Sequence, residues 1–285
     1  MILYKDWGKH IRLGNWLFLY TGINSMAKKA GNTLYVPDNY FLWDYLEKTP
    51  HFDRNFQPEN TFHFRQTNYS PEEQIFIIDS WKNTINEKIN INLGSHLQSE
   101  LWFKDDIDYV KSIIKIKESI RNLVYEKYWH IFKDNKKTIG ISVRRGDFIK
   151  HGCFYQIPVE WYTNALEAEF PDWRNCSVVI FSDDIEECKR LFKDYDFFYA
   201  DPNGTHTHAE NFKFYHQDPM EQFILGTLMN NFIISQSTFS WWQAWYVDKF
   251  NSGKIVHCGK NLDNHCLKEF YNPDYYPESW TKFEI

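Results

Sequence analysis

Apolar and polar positions repeat in a regular order through the second half of the chain. Short β-branched or aromatic runs at 138–143, 177–181, 197–200, 231–235 and 254–257 read as strands. Stretches with helical spacing lie between them, at about 158–170, 184–193, 219–230 and 240–250. Strands alternating with helices predict a parallel sheet with right-handed crossovers. The first half is less regular. Leu17, Tyr20, Ile23, Met26 and Ala27 form one apolar face of a helix over 16–29, after a turn at Gly14–Asn15. Gly31 is placed to cap that helix and 33–36 to follow as a strand. Residues 61–65 and 75–78 read as further strands, and the stripe through Ile107, Val110, Ile113, Ile114, Ile120, Leu123 and Val124 as a helix over 105–132. The charged run "KDNKK" at 133–137 marks the expected boundary, giving lobes 1–134 and 135–285.

Composition narrows the class. With 285 residues and 43% hydrophobic positions the chain is expected to form two domains or one large α/β domain, and is not a disordered chain. A net charge of −6 argues against a nucleic-acid binder and leaves room for a local basic pocket. Aromatic residues reach 19%; most are expected in the core, although exposed rings also stack on sugar faces. Five irregularly spaced cysteines, 153, 176, 188, 258 and 266, without a CxxC, predict free thiols in a reducing compartment. No signal peptide and no membrane-spanning apolar run are read, so a cytoplasmic protein is expected, with peripheral contact to the inner membrane left open.

Three of the expected strands end in polar motifs: "RRGD" at 144–147, "SDD" at 182–184 and "SQSTF" at 235–239. Ligands of open α/β sheets bind beyond the carboxyl ends of the strands, so these motifs should converge. Arg144 and Arg145 are neighbours whose side chains should diverge, so that one meets a phosphate, unless both pair with local carboxylates such as Asp147. Ser235, Ser237, Thr238 and Ser240 precede a helix whose free N–H groups make an anion site or receive ordinary caps. Asp183 and Asp184 follow a strand, where one carboxylate can read a guanine edge or ribose and at least one caps the next helix. The Arg-Gly-Asp tripeptide is incidental as an adhesion signal. There is no GxxxxGK[ST] and no GxGxxG. The D-x-D triplets at 106–108 and 194–196 lack convincing flanks, and the His206–His208 pair with His216 reads as a solvated loop, so no metal site is expected.

Four ordered segments, "RLGNWLF", "ISVRRGDF", "FSDDIEECK" and "SQSTFSWWQAWY", resemble the motifs of the α-1,2-fucosyltransferases, glycosyltransferase family 11. The resemblance implies a GT-B-like α/β fold: two Rossmann-like lobes with the nucleotide-sugar site between them, the acceptor side in 1–134 and the GDP-fucose-binding lobe in 135–285. It implies metal-free, inverting transfer of L-fucose from GDP-fucose to the 2-hydroxyl of a β-linked galactose at the end of an oligosaccharide or glycoconjugate. By it, Arg144 holds the β-phosphate, Arg145 supports it or touches the acceptor, and Asp183 or Asp184 reads guanine. Ser237, Thr238 and Phe239 line the diphosphate and sugar, and Gly14 with Asn15 faces the reacting centre. Asp147 is a candidate base or orients an arginine. Ser142 stands where the family motif has His, which alters a donor contact. Trp16, Leu19 and Gln236 also depart, and "YKDWGKHIRLGN" differs from the family's opening strand and glycine turn. Another GDP-sugar transferase with a different acceptor or linkage, or a silent glycan-binding module, stays open; the oligomeric state is not read from the sequence.

Overall fold

The computed structural model describes residues 2–4, 12–38, 40–52, 57, 59–64, 68–85, 87–93, 96–201, 219–259 and 272–284. The chain forms two units, Met1–Lys117 with Asn272–Pro277, and Glu118–Tyr271 with Glu278–Ile285.

The first unit carries parallel strands β1 (Ile2–Tyr4), β2 (Leu34–Tyr35), β3 (Asn60–Phe64) and β4 (Ile89–Leu93), in the order β2-β1-β4-β3. The helix expected from Trp16 is α1 (Leu13–Lys29), which begins earlier and takes Gly14 and Asn15 into its first turn. Nearly every position from Leu13 to Ala27 is buried, so its apolar face runs round the whole cylinder. Gly31, at φ 69°, follows its end as expected. Helices α2 (Pro71–Lys82) and α3 (Ile107–Ile114) complete the unit.

Two expectations change here. Residues 75–78 lie within α2, not a strand: Ser70 accepts the Glu73 N–H at 3.2 Å, Pro71 opens the helix, and Gln74, Ile77, Ile78 and Trp81 form its buried side. The long helix over 105–132 is broken after Ile114. There Glu47 N–H donates to the Lys115 carbonyl at 2.8 Å and Lys117 N–H to the Tyr45 carbonyl at 2.9 Å, drawing the chain into an extended bridge. A short strand the sequence reading did not include, β1, leads into the stretch "YKDWGKHIRLGN", of which residues 5–11 lie outside the described residues.

The second unit begins with α4 (Glu118–Lys127), ahead of the expected boundary at 134/135. Lys127 Nζ and Tyr128 Oη donate to the buried Glu221 carboxylate at 2.7 and 2.6 Å, tying this segment to α8 (Met220–Thr227). Then come β5 (Thr138–Val143), α5 (Gly146–His151), α6 (Val159–Glu169), β6 (Ser177–Ser182), α7 (Ile185–Leu191), β7 (Phe198–Tyr199), β8 (Asn231–Ile234), α9 (Thr238–Asn251), β9 (Ile255–His257) and β10 (Thr281–Lys282). All pairings are parallel, in the order β10-β9-β8-β5-β6-β7. Every residue of β5 and β6 is buried, as fits central strands covered on both faces. Ile139, Ile141 and Val143 join the core under α6 and α7. The alternate residue Gly140 faces Phe232 of β8, whose ring stands where a Cβ would be, 2.4 Å away. Trp241, Trp242, Trp245 and Tyr246 of α9 are fully buried, so the aromatic excess of this segment is core. The expectation of free thiols holds for Cys176, Cys188 and Cys258, but Cys153 is disulfide-bonded.

Candidate functional site

From β5 the chain of the second unit extends one way through β6 and β7 and the other way through β8, β9 and β10. Connections leave to opposite faces at such a reversal, which opens a crevice beyond the carboxyl ends of β5 and β8. The segments that emerge there are Arg144–Asp147 and Ser235–Thr238, two of the three motifs singled out by sequence; the third, Asp183–Asp184, emerges from β6 alongside.

The chain enters α5 directly from Arg145. Gly146 opens this helix at φ 24°, and a Cβ on it would lie 2.1 Å from Asp183 Oδ2. Lack of a side chain therefore lets the Asp183 carboxylate press against the backbone. Asp183 accepts the Arg145 N–H at 2.9 Å and pairs with Arg144 Nη1 at 3.1 Å. The other terminal nitrogen of Arg144 donates to Asp147 Oδ1 at 2.5 Å, and its guanidinium lies 5.0 Å above the Phe148 ring. Phe148 in turn stacks on Phe154 at 3.7 Å. Arg144 is thus oriented by two carboxylates and a ring, while its side chain stays 17% exposed.

The two arginines diverge as their adjacency predicts. Arg145 lies toward Tyr162 and Cys188: burial drives the Tyr162 hydroxyl well above its usual range, and the Arg145 charge works the other way. Burial likewise raises the Cys188 thiol to about 11, with the Ser182 hydrogen bond and Arg145 opposing. Arg145 Nε is buried with no hydrogen-bond partner among the described residues.

On the β8 side, Ser237 caps α9, its Oγ accepting the Phe239 N–H at 3.3 Å. Thr238 and Phe239 are half-buried in the first turn, Phe239 against Phe223 at 5.5 Å. Gln236 donates to the Tyr155 carbonyl, joining the segment before α9 to the one after α5. Below them runs a feature that the sequence did not announce. Ser142 Oγ is 3.1 Å from Ser235 Oγ, which is 3.3 Å from Ser240 Oγ. The alignment of β5 with β8 brings Ser142 to Ser235, and the turn from β8 into α9 returns Ser240 to Ser235.

Asp184 is the N-cap of α7, accepting the Glu187 N–H at 3.1 Å, so at least one of the Asp183–Asp184 pair caps a helix as expected. In the first unit Gly14 is buried, and Asn15 Oδ1 accepts from Gln98 Nε2 at 2.8 Å. Asp106 of the first D-x-D triplet is an ion-pair partner of Lys28 and Lys29 and accepts from Ser25 at 2.7 Å. Burial alone would raise its carboxyl, but the hydrogen bonds from Lys28 and Ser25 and the two lysine charges prevail and lower it. Asp194 and Asp196 of the second triplet are exposed in a turn, and His206, His208 and His216 lie outside the described residues. Among the described residues no three His, Cys, Asp or Glu side chains gather into a metal-ligand group.

Two parallel-sheet units, the second with a reversal crevice lined by arginine and a helix start, make a GT-B-like fold. The fold matches that of a mutant of Arabidopsis thaliana FUT1 in complex with GDP, with a TM-score of 0.56 and 10% identity over 91% of this chain and 70% of that one. Residues 80–283 match the model of glycosyl transferase family 11, and the chain belongs to that family. It is 25% identical over 190 residues to the O-antigen biosynthesis glycosyltransferase WbnK of Escherichia coli, covering 62% of this chain and 57% of the relative. It is 26% identical over 157 residues to an alpha-1,2-colitosyltransferase of Escherichia coli, covering 52% of this chain and 48% of the relative. The chain spans about half the length of these curated relatives.

Proposed function

We propose that this glycosyltransferase moves L-fucose from GDP-fucose to the 2-hydroxyl of a β-galactoside, with inversion and without a metal. The supporting observation is Arg144: a guanidinium fixed by Asp147 and Asp183 at the mouth of the β5–β8 crevice. The demand of the reaction is to stabilise a departing diphosphate, because a 6-deoxy sugar forms an oxocarbenium-like transition state readily. A preoriented arginine and the N-terminal N–H groups of α9 meet that demand without rearranging. Arg145 supports the same anion from behind. Asp147 in this reading orients Arg144, and as an exposed carboxylate it is also the nearest candidate base. Each carboxylate oxygen offers more than one lone-pair direction, so guanine reading by Asp183 or Asp184 is compatible with their present contacts. Asn15 and Gly14 belong to the acceptor side.

The test is transfer of fucose from GDP-fucose to galactosides in EDTA, with wild type and Arg144→Ala. Wild type should transfer undiminished by the chelator, and a folded Arg144→Ala protein should lose at least about 100-fold in kcat. Near-normal turnover in that variant would sink the phosphate role, and GDP binding without turnover would support a silent glycan-binding module. A second reading keeps the site and changes the sugar: the name of one relative specifies colitose, so GDP-colitose belongs in the donor screen. Among the described residues no helix is long and apolar enough to cross a membrane. A cytoplasmic reaction, with or without peripheral membrane contact, belongs to this proposal.

A further inference from the structure

We propose that His96 is the catalytic base of the transfer, the group that takes the proton from the accepting sugar hydroxyl. The proposal rests on the transferase reading above and begins with the topology of the first unit. β1 and β4 pair in parallel, so the segments that follow them leave the same edge of the sheet side by side. Ligands of such sheets bind beyond that edge. After β1 comes the first turn of α1, with Asn15; after β4 comes the segment 96–99. The two meet where the Gln98 and Asn15 side-chain amides lie 2.8 Å apart. Asn272 Nδ2 holds the same segment, donating to the Gln98 carbonyl at 2.7 Å.

Leu97, between His96 and Gln98, has φ 52°, a left-handed conformation that a bulky side chain rarely adopts. Its side chain is buried against α1, where Gly22 makes room: a Cβ there would lie 2.9 Å from Leu97 Cδ1. Ser99 N–H donates to the Leu97 carbonyl at 2.7 Å. Strain of this kind persists only where the surroundings impose it, and it gathers at functional sites. Here Leu97 anchors the turn, while His96 before it is exposed and Gln98 after it reaches Asn15. Among the described residues His96 has no hydrogen-bond or ion-pair partner, so both ring nitrogens are open. Partial burial of the ring lowers its pKa below the usual 6.5, and no charged group among the described residues contributes. At neutral pH the ring is therefore uncharged and keeps a lone pair for a proton. Asp147, the other candidate, is already engaged by Arg144. In the step, the acceptor oxygen bonds to the anomeric carbon of fucose as the bond from that carbon to the diphosphate oxygen breaks. GDP leaves with that electron pair, and His96 takes the hydroxyl proton and afterwards passes it to water.

The test is the rate of fucosyl transfer by the full-length protein, with GDP-fucose as donor and phenyl β-galactoside as acceptor, followed across pH. His96→Gln and His96→Ala should lose about 100-fold or more in kcat, the range of a general base, while GDP binding by calorimetry stays at the wild-type value. Wild-type kcat should fall on the acid side, as the ring takes up a proton below pH 6.5, and that limb should vanish in His96→Gln. Added imidazole should restore part of the turnover of His96→Ala, which a merely structural role would not allow. Asp147→Asn should slow transfer through Arg144 yet keep the acid limb. A His96→Gln protein with near-normal kcat, or with the limb intact, overturns the base role and leaves the transferase reading standing. Loss of GDP binding in His96→Gln would also overturn it, by showing damage beyond proton transfer. A wild-type protein that moves no fucose to the galactoside overturns the transferase reading and this inference with it.

Discussion

Gly146 decides where the Arg144 guanidinium points, although it has no side chain of its own. Its φ of 24° and the 2.1 Å gap between a virtual Cβ and Asp183 Oδ2 make it the contact that admits the carboxylate. Gly146→Ala should push Asp183 away and release Arg144. In the proposed reaction, kcat/KM for fucosyl transfer should then fall on the order of 100-fold, the cost of about 1 Å misplacement. Near-normal kcat/KM would show that Asp183 does not position the arginine. His257 offers a test by pH. Burial first, and Lys282 second, lower its pKa to about 4, and its Nδ1 accepts the Gly259 N–H at 2.9 Å. The folded state therefore prefers the neutral ring. The stability this contributes is present above the unfolded pKa of about 6.5 and is lost as pH falls toward 4. Urea unfolding from pH 7 to 4 should show a steeper loss for wild type than for His257→Asn. At this scale the sequence exposed residue types and motif order. The Arg144–Asp147 pairing was legible from spacing, but the approach of Asp183 to Gly146 and that of Ser142 to Ser235 were not, because both arise from the alignment of different strands.

Elements of the second unit were legible because its strands are continuous apolar runs separated by helical periods. Their register was not, and Gly140 is where register becomes a packing constraint. A methyl group there would meet the Phe232 ring, the residue directly across the β5–β8 ladder. Gly140→Ala should cost about 1–3 kcal/mol in denaturant unfolding, as overpacking does, and Phe232→Leu in the same chain should recover part of it. Additive losses in the double variant would refute the clash. The first unit was harder to read for physical reasons. The run "IFII" at 75–78 looks like a strand, yet Ile75 and Phe76 are 59% and 63% exposed and only the helical spacing Gln74, Ile77, Ile78, Trp81 is buried. The Ser-Pro-Glu-Glu start at 70–73 was the signal that would have settled it. β4, "ININL", went unread because its apparent polar face is not solvent-facing: Asn90 is 9% exposed between Ile89 and Ile91.

Across the whole molecule, two units were legible but their division was not. A charged run suggested it at 133–137, whereas the change of packing partner occurs at 117/118, where the Lys127–Tyr128–Glu221 cluster claims α4 for the second unit. Nor did the sequence announce that Asn272–Pro277 belongs with the first unit and Glu278–Ile285 with the second. That last segment is part of the second core: β10 extends the sheet, Trp280 Nε1 donates to Asp248 at 3.0 Å, and its ring lies 5.3 Å from Trp241. Trp280→Ala should cost about 3–5 kcal/mol in urea unfolding, and a loss below about 1 kcal/mol would show that the segment merely decorates the sheet. The chain passes from one unit to the other at 117/118, 271/272 and 277/278. For chimera building, a single crossover at 117/118 would leave the first unit with a head from one parent and a tail, Asn272–Pro277, from the other. Exchange of either module between family members needs three matched junctions, so its inheritance as a whole is favoured over shuffling by halves.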